Sequence, residues 1–151
     1  MKTLVVYFSR TGHNAQVAKE VKEKLSADFD EITESEKYGG ILGYLKGGFR
    51  GARKKKADSI SFSKDPSKYD KTIILYPVWG GKMPPAIRTY LSENKVNDLV
   101  LVSVSGGGGR KMVKDLEETA TKSVKAFTIS DKEFKAGSYQ KELELFLKNL
   151  S

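Results

Sequence analysis

The sequence contains no cysteine and only one histidine, His13, among its 151 residues. Without cysteine the chain can form neither a disulfide bond nor a thiolate metal site. One histidine cannot supply the several imidazole ligands on which many zinc centres depend. We therefore expect no metal site.

Long apolar runs are also missing. The opening run, Leu4 to Phe8, has five residues, whereas a helix needs about 20 apolar residues to cross a bilayer. The run is also too short for the core of a signal peptide. We therefore expect a soluble, cytoplasmic protein without a membrane span. The chain shows no repeat and no linker, so we expect one domain over residues 1–151.

The formal net charge of +8 is concentrated in one segment. Residues 37–56 hold seven basic residues and no acidic residue, so the rest of the chain is nearly neutral. This segment is either a solvated second helix packed on the rest of the protein or a docking surface for an acidic partner. Nucleic acid or an anionic membrane fits less well, because no array of base-stacking aromatic residues accompanies the charge.

Apolar runs rich in β-formers alternate with amphipathic stretches. Near-continuous apolar runs predict buried strands at 3–8, 71–78 and 98–105, and weaker runs predict flanking strands at 29–33 and 124–129. The intervening stretches carry apolar residues at helical spacing. This alternation predicts an α/β fold with a doubly wound, five-stranded parallel sheet and helices on both faces. The predicted helical faces are Val17, Ala18, Val21 and Leu25; Ile87, Tyr90 and Leu91; Met112, Val113, Leu116 and Ala120; and Tyr139, Leu143, Phe146, Leu147 and Leu150.

The loop after the first strand carries small polar residues and leads into a helix. Such sheets bind ligands beyond the carboxyl ends of their strands, where the strand order reverses. The unpaired N–H groups of a helix start can hold a phosphate, and neutral donors from Ser9, Thr11 and Asn14 can add to them. The P-loop and dinucleotide glycine patterns are absent, so a phosphate monoester fits better than a triphosphate. Alternatively, the segment is only an N-cap and a turn.

Two further loops follow predicted strands. In the second loop of the chain, which follows the predicted strand 71–78, Trp79 stands beside Gly80 and Gly81. Pro84 and Pro85 are suited to open the next helix. The tryptophan is either a core residue or a stacking partner for a flat ligand, and its place in a loop favours stacking.

The third loop contains four consecutive glycines, at positions 106–109. It is either a flexible tether or a stretch of bare backbone against which a ligand lies.

Taken together, the three loops resemble those of the flavodoxin family and its flavodoxin-like quinone-reductase relatives, over nearly the full chain. The resemblance implies the strand order established for flavodoxin itself, 2-1-3-4-5, with FMN at the point where the order reverses. It implies no catalytic residue, and His13 is expected to act through its backbone or as a helix-start residue. It assigns the FMN phosphate to Ser9, Arg10, Thr11, Gly12, His13 and Asn14, one flavin face and edge to Pro77, Val78, Trp79, Gly80 and Gly81, and the other edge to Ser105, Gly106, Gly107 and Gly108.

The sequence departs from the family pattern in two ways. Flavodoxins commonly place a tyrosine over the flavin in the third loop, whereas the glycines here leave one face open to a second flat molecule such as a quinone. Flavodoxins are also typically acidic, whereas this chain is basic, so we expect an acidic, ferredoxin-like redox partner. The residues expected to dock it are Lys46, Arg50, Arg53, Lys54, Lys55 and Lys56.

Three functions remain open at this point. The first is an FMN-binding electron-transfer protein that shuttles low-potential electrons between redox partners. The second is an FMN-dependent NAD(P)H quinone reductase, and the third is a flavin-free phosphate-binding or scaffold domain of the same fold. We favour the carrier, because the chain is short and shows no recognisable nicotinamide site or substrate lid.

Overall fold

The computed structural model describes residues 1–34, 60–78, 81–107 and 109–150. Trp79, Gly80 and Gly108 lie outside the described residues, and so do the predicted docking residues between Lys46 and Lys56.

Strands and helices alternate along the described chain, as the sequence pattern predicts. The strands are β1 (Thr3–Tyr7), β2 (Asp28–Glu31), β3 (Thr33–Glu34), β4 (Ile60–Ser61), β5 (Lys71–Leu75), β6 (Asp98–Ser105) and β7 (Lys125–Ser130). The helices are α1 (His13–Leu25), α2 (Pro85–Glu93), α3 (Gly109–Ala120), α4 (Asp131–Ala136) and α5 (Gln140–Lys148), and a short 3₁₀ helix covers Pro66–Lys68.

Five strands form one parallel sheet in the order β2-β1-β5-β6-β7. Numbered within this sheet alone, the order is 2-1-3-4-5, so the predicted doubly wound fold is confirmed. The remaining strands, β3 and β4, form a separate antiparallel pair. The order reverses between β1 and β5, since β2 lies on one side of this pair of strands and β6 and β7 on the other.

Alternate residues of each central strand enter two different cores. In β1, Leu4 and Val6 pack into the core covered by α2 and α3, whereas Val5 packs into the core covered by α1 and α5. Because both sheet faces are covered, these strands are apolar at nearly every position. The predicted helical faces are confirmed as buried or partly buried members of these two cores.

The structure corrects the ends of two predicted strands. β5 ends at Leu75 rather than at residue 78, since Pro77 has no N–H to donate to the ladder. β2 ends at Glu31, and the chain then turns away, so that Thr33 pairs with Ser61 in the antiparallel β3–β4 ladder. The other three strands differ from the prediction by at most one residue at each end.

One helix was not predicted from the sequence. The short helix α4 is held at its start by a capping box, in which the Ser130 hydroxyl accepts from the Glu133 N–H at 3.2 Å and the Glu133 carboxylate accepts from the Ser130 N–H at 2.8 Å. In the described parts of the chain, none of the helices is long and apolar enough to cross a membrane.

Candidate functional site

A cleft of about 1060 Å³ opens at the carboxyl ends of β1, β5 and β6. Three loops that are far apart in sequence meet there, because these strands are neighbours in the sheet. This is the reversal point of the strand order, where open α/β sheets bind ligands. Its lining includes these residues predicted from sequence: Arg10, Thr11, His13, Asn14, Pro77, Val78, Gly81, Ser105, Gly106 and Gly107.

The first loop is shaped by Ser9 and Gly12. The Ser9 hydroxyl accepts a hydrogen bond from the Gly12 N–H at 3.1 Å, which closes the loop before α1 begins. Gly12 is the N-cap of α1 with φ of 93°, a left-handed conformation that favours glycine. The first intrahelical bond runs from the Gln16 N–H to the Gly12 carbonyl, so the N–H groups of the preceding turn have no partner within the helix. These N–H groups, beside the exposed Thr11, suit an anion.

The side chain of Asn14, which the sequence predicts as a donor to the phosphate, is hydrogen-bonded to β6. Its Nδ2 donates to the Val104 carbonyl at 3.1 Å, and its Oδ1 accepts from the Val104 N–H at 2.9 Å. The residue is 2% exposed. These two bonds fasten the start of α1 to the end of β6.

His13 lies at the rim of the cleft and stacks on an aromatic side chain. Its ring centroid is 4.4 Å from that of Phe134, which in turn stacks on Tyr139 at 5.9 Å. The Tyr139 hydroxyl donates to Glu20 at 2.8 Å, and burial together with this carboxylate raises the pKa of Tyr139 to about 12. The imidazole of His13 is thus packed against α4, while the backbone of His13 belongs to the first turn of α1.

The second loop approaches the start of α3, and the third loop approaches the start of α4. Gly81 has φ of 73°, and a Cβ at this position would lie 3.6 Å from Cδ of Lys111, at the start of α3. In the third loop, a Cβ at Gly106 would lie 3.0 Å from the Asp131 carboxylate, too close for an undisturbed side chain. Glycine at position 106 therefore lets the loop pass under the start of α4.

Five residues that line the cleft were not predicted from sequence. Arg110 and Lys111 follow the glycines directly, so their proximity to the third loop was a usable signal. Asp131 follows the last strand of the sheet, whose carboxyl end meets the same edge. The five are Val104, Gly109, Arg110, Lys111 and Asp131.

The lining of the cleft can bind an anion and a flat ring but contains little acid–base machinery. Its charged side chains are Arg10, Arg110, Lys111 and Asp131, so positive charge is in excess. Within the described residues, no group of three histidine, aspartate or glutamate side chains is arranged to hold a metal ion. Binding and orientation are the functions that this arrangement supports.

Comparisons with known proteins agree with this geometry. The chain superimposes on an FMN complex of a flavoprotein from Lactobacillus acidophilus NCFM with a TM-score of 0.70 and 22% identity, over 91% of this chain and 98% of that chain. Flavodoxin 2 from Bacillus cereus gives a TM-score of 0.59 at 13% identity, with both chains fully covered. An NADH:FMN oxidoreductase in its apo form gives 0.62 at 10% identity, over 99% of this chain and 88% of that chain.

At these identities the superpositions show the fold alone. Among curated proteins, none matches this sequence. The family model described as flavodoxin matches residues 2–150, nearly the whole sequence. The chain therefore belongs to the flavodoxin family.

Proposed function

We propose that this chain is an FMN-binding electron-transfer protein that shuttles low-potential electrons between redox partners in the cytoplasm. The observation that carries the proposal is the cleft at the reversal point of the sheet, with the start of α1 on one side and a glycine backbone on the other. FMN supplies one- and two-electron redox chemistry when it is bound. The protein's part is to hold the cofactor and to control what reaches it.

The residues of the first loop fit the phosphate of FMN. A Cβ added at Gly12 would meet nothing within 4 Å, so there is room beside the first N–H groups of α1. Thr11 can donate its hydroxyl, and the Arg10 side chain brings a positive charge to the lining. Ser9 acts through the loop, since it holds the Gly12 N–H.

The other two loops fit the flavin ring. Pro77 and Val78 present apolar surface to the cleft, and Gly106 and Gly107 present bare backbone opposite them. At about 1060 Å³ the cleft is slightly larger than the usual range for ligand pockets, roughly 300 to 1,000 Å³. Gly81 and Ser105, which also line the cleft, belong to the proposed set of ring contacts, and Trp79, Gly80 and Gly108 complete it.

The charge of the cleft mouth supports an acidic partner. Arg110 and Lys111 are exposed at the start of α3 and line the cleft. We propose that they extend the docking surface expected at Lys46, Arg50 and 53–56. Exposed charges of one sign steer an oppositely charged protein and act mainly on the association rate.

A test compares one pair of charges, Arg110 and Lys111, with a single control charge, Lys114. Arg110→Gln with Lys111→Gln should slow electron transfer from the dithionite-reduced protein to an acidic ferredoxin and weaken the dependence of the rate on salt. Lys114→Gln is the matched control, since Lys114 is exposed on the same helix but does not line the cleft. Stopped-flow absorbance across a salt series measures both. A wild-type rate that is insensitive to salt would contradict the docking proposal.

The quinone reductase is the second candidate. It is favoured by the third loop, where the described residues between β6 and α3, Gly106 and Gly107, have no side chain. Steady-state oxidation of NADH or NADPH with a soluble quinone distinguishes the two candidates, since a carrier should show negligible turnover. A colourless protein that takes up no added FMN would instead indicate the flavin-free alternative.

A further inference from the structure

A buried ion pair lies between α2 and α3, behind the second loop. Nη2 of Arg88 is 2.8 Å from Oδ2 of Asp115, and the two side chains are 9% and 0% exposed. The other guanidinium nitrogen, Nη1, donates to the Thr119 hydroxyl at 3.0 Å. That hydroxyl donates to the Asp115 carbonyl at 2.8 Å, so the arginine is fixed at two points on α3.

The same carboxylate oxygen also holds the backbone of the second loop. Oδ2 of Asp115 accepts from the Met83 N–H at 2.9 Å, and Met83 is fully buried. Met83 stands at the end of the loop that begins at Pro77. The end of this loop is therefore anchored to α3 rather than only to the helix that follows it.

The helix that provides this anchor also begins at the third loop. Gly109, Arg110 and Lys111 are the first residues of α3 and line the cleft, four to six positions before Asp115. The position of Gly81 agrees with this, since a Cβ there would lie 3.6 Å from Cδ of Lys111, in the first turn of α3. One carboxylate thus links the end of one loop to the helix that starts at the other.

Stability alone is a poor explanation for such a pair. Two buried charges lose their hydration, and their attraction often only offsets this cost relative to apolar side chains of similar size. A geometric role accounts better for a carboxylate that joins a backbone N–H, a guanidinium and a helix.

We propose that Asp115 and Arg88 are positioning residues that set the spacing between the two loops flanking the flavin ring. This proposal rests on the proposed function, since it assigns the ring to these loops. The ion pair acts on the ring and not on the phosphate, which belongs to the first loop. Its loss therefore weakens FMN and riboflavin to the same degree.

The experiment compares Asp115→Asn with Lys71→Met. Lys71 is also a buried charge, 3% exposed and 3.4 Å from Asp98, but it lies at the amino end of β5, at the opposite edge of the sheet. Asp115→Asn should raise the dissociation constants of FMN and riboflavin about tenfold, or roughly 1.4 kcal/mol each. Lys71→Met should lower the melting temperature without changing either constant. Unchanged constants in Asp115→Asn, with a lower melting temperature, would reduce the ion pair to a structural role.

A second readout does not depend on flavin. Trp79 is the only tryptophan and follows Val78 in the second loop, so its quenching by acrylamide reports on that loop in the apoprotein. Quenching should increase in Asp115→Asn and, to a smaller extent, in Thr119→Val, which removes only the second acceptor of Arg88. Thr119→Val also replaces Asp115→Asn if that variant fails to fold. Quenching equal to that of wild type and Lys71→Met in Asp115→Asn, or in Thr119→Val where Asp115→Asn does not fold, would overturn the proposal. A wild type that binds neither flavin overturns the proposed function alone.

Discussion

Thr11 is the residue whose side chain most directly tests the phosphate assignment. It is exposed, lines the cleft and precedes the glycine that caps α1. Unlike Ser9 and Asn14, Thr11 makes no side-chain hydrogen bond to another residue that the structure describes, and its exposed hydroxyl faces the cleft lining.

We expect Thr11→Val to weaken FMN and to leave riboflavin nearly unchanged. Valine has the same shape but cannot donate to the phosphate, and a hydrogen bond to a charged group contributes about 1.5 to 3 kcal/mol. Quenching of flavin fluorescence on titration with apoprotein gives both dissociation constants. Thr33→Val, an exposed site on β3, is the control. Equal losses for the two ligands would mean that Thr11 does not contact the phosphate.

Asn14 shows what could and could not be predicted from the sequence for a single residue. The position of Asn14 after a strand and at a helix start was visible in the sequence. Its pairing with Val104 was not, because those bonds join residues 90 positions apart. Type and location of the residue were predictable, but the partner of its side chain was not.

At the scale of elements, one hydrogen bond joins strand β2 to the segment before β5. The Tyr69 hydroxyl donates to Oδ2 of Asp28 at 2.6 Å. The pKa of Tyr69 is raised to about 12, mainly by this bond and to a smaller extent by burial. The same bond is the main reason that the pKa of Asp28 is lowered. The neutral phenol and the ionised carboxylate are therefore the bonded forms.

The pH dependence of stability should reveal this bond. The folded pKa of Tyr69 lies above its ordinary value of 10.0, so its contribution is complete below pH 10.0 and is lost as the pH rises towards about 12. Tyr69→Phe should be less stable than wild type at pH 7, and the difference in unfolding free energy should shrink between these two values. Urea unfolding at several pH values measures this difference. Tyr139, whose pKa is also about 12, titrates in both proteins, so its contribution to the difference cancels. A difference that stays constant up to pH 12 would exclude the bond as its source.

Helix α4 was not predicted, although the sequence contains a signal for its start. Ser130 followed three positions later by Glu133 is a capping-box spacing. The helix was missed because it has only six residues and none of them is buried. With so short a stretch, apolar periodicity has too few positions to produce a signal.

At the scale of the whole molecule, ligand binding should be linked to stability. The first loop follows β1, the second follows β5 and the third follows β6, so a ligand in the cleft joins the loops that follow three strands of the sheet. A ligand at a hundred times its dissociation constant stabilises the folded state by about 2.7 kcal/mol. For a chain of this size that corresponds to a shift of about 5 to 10 °C in melting temperature.

Removing FMN should therefore lower the melting temperature by this amount, and adding it back should restore the original value. Thermal unfolding followed by circular dichroism with and without FMN tests this. Riboflavin provides the comparison that separates ring binding from phosphate binding. Identical melting temperatures with and without saturating FMN would indicate that the cleft does not bind it.

The sequence by itself determined the class of fold and which three loops line the cleft. Strands covered on both faces must be apolar at nearly every position, and amphipathic helices repeat every 3.6 residues, so both signals are local and readable. The tertiary structure decided which side chains meet: the pair Asn14 and Val104, the pair Arg88 and Asp115, and the cluster of Arg110, Lys111 and Asp131 at the cleft. Such contacts depend on the packing of elements far apart in the chain, and no local pattern of residues records which partner a polar side chain will find.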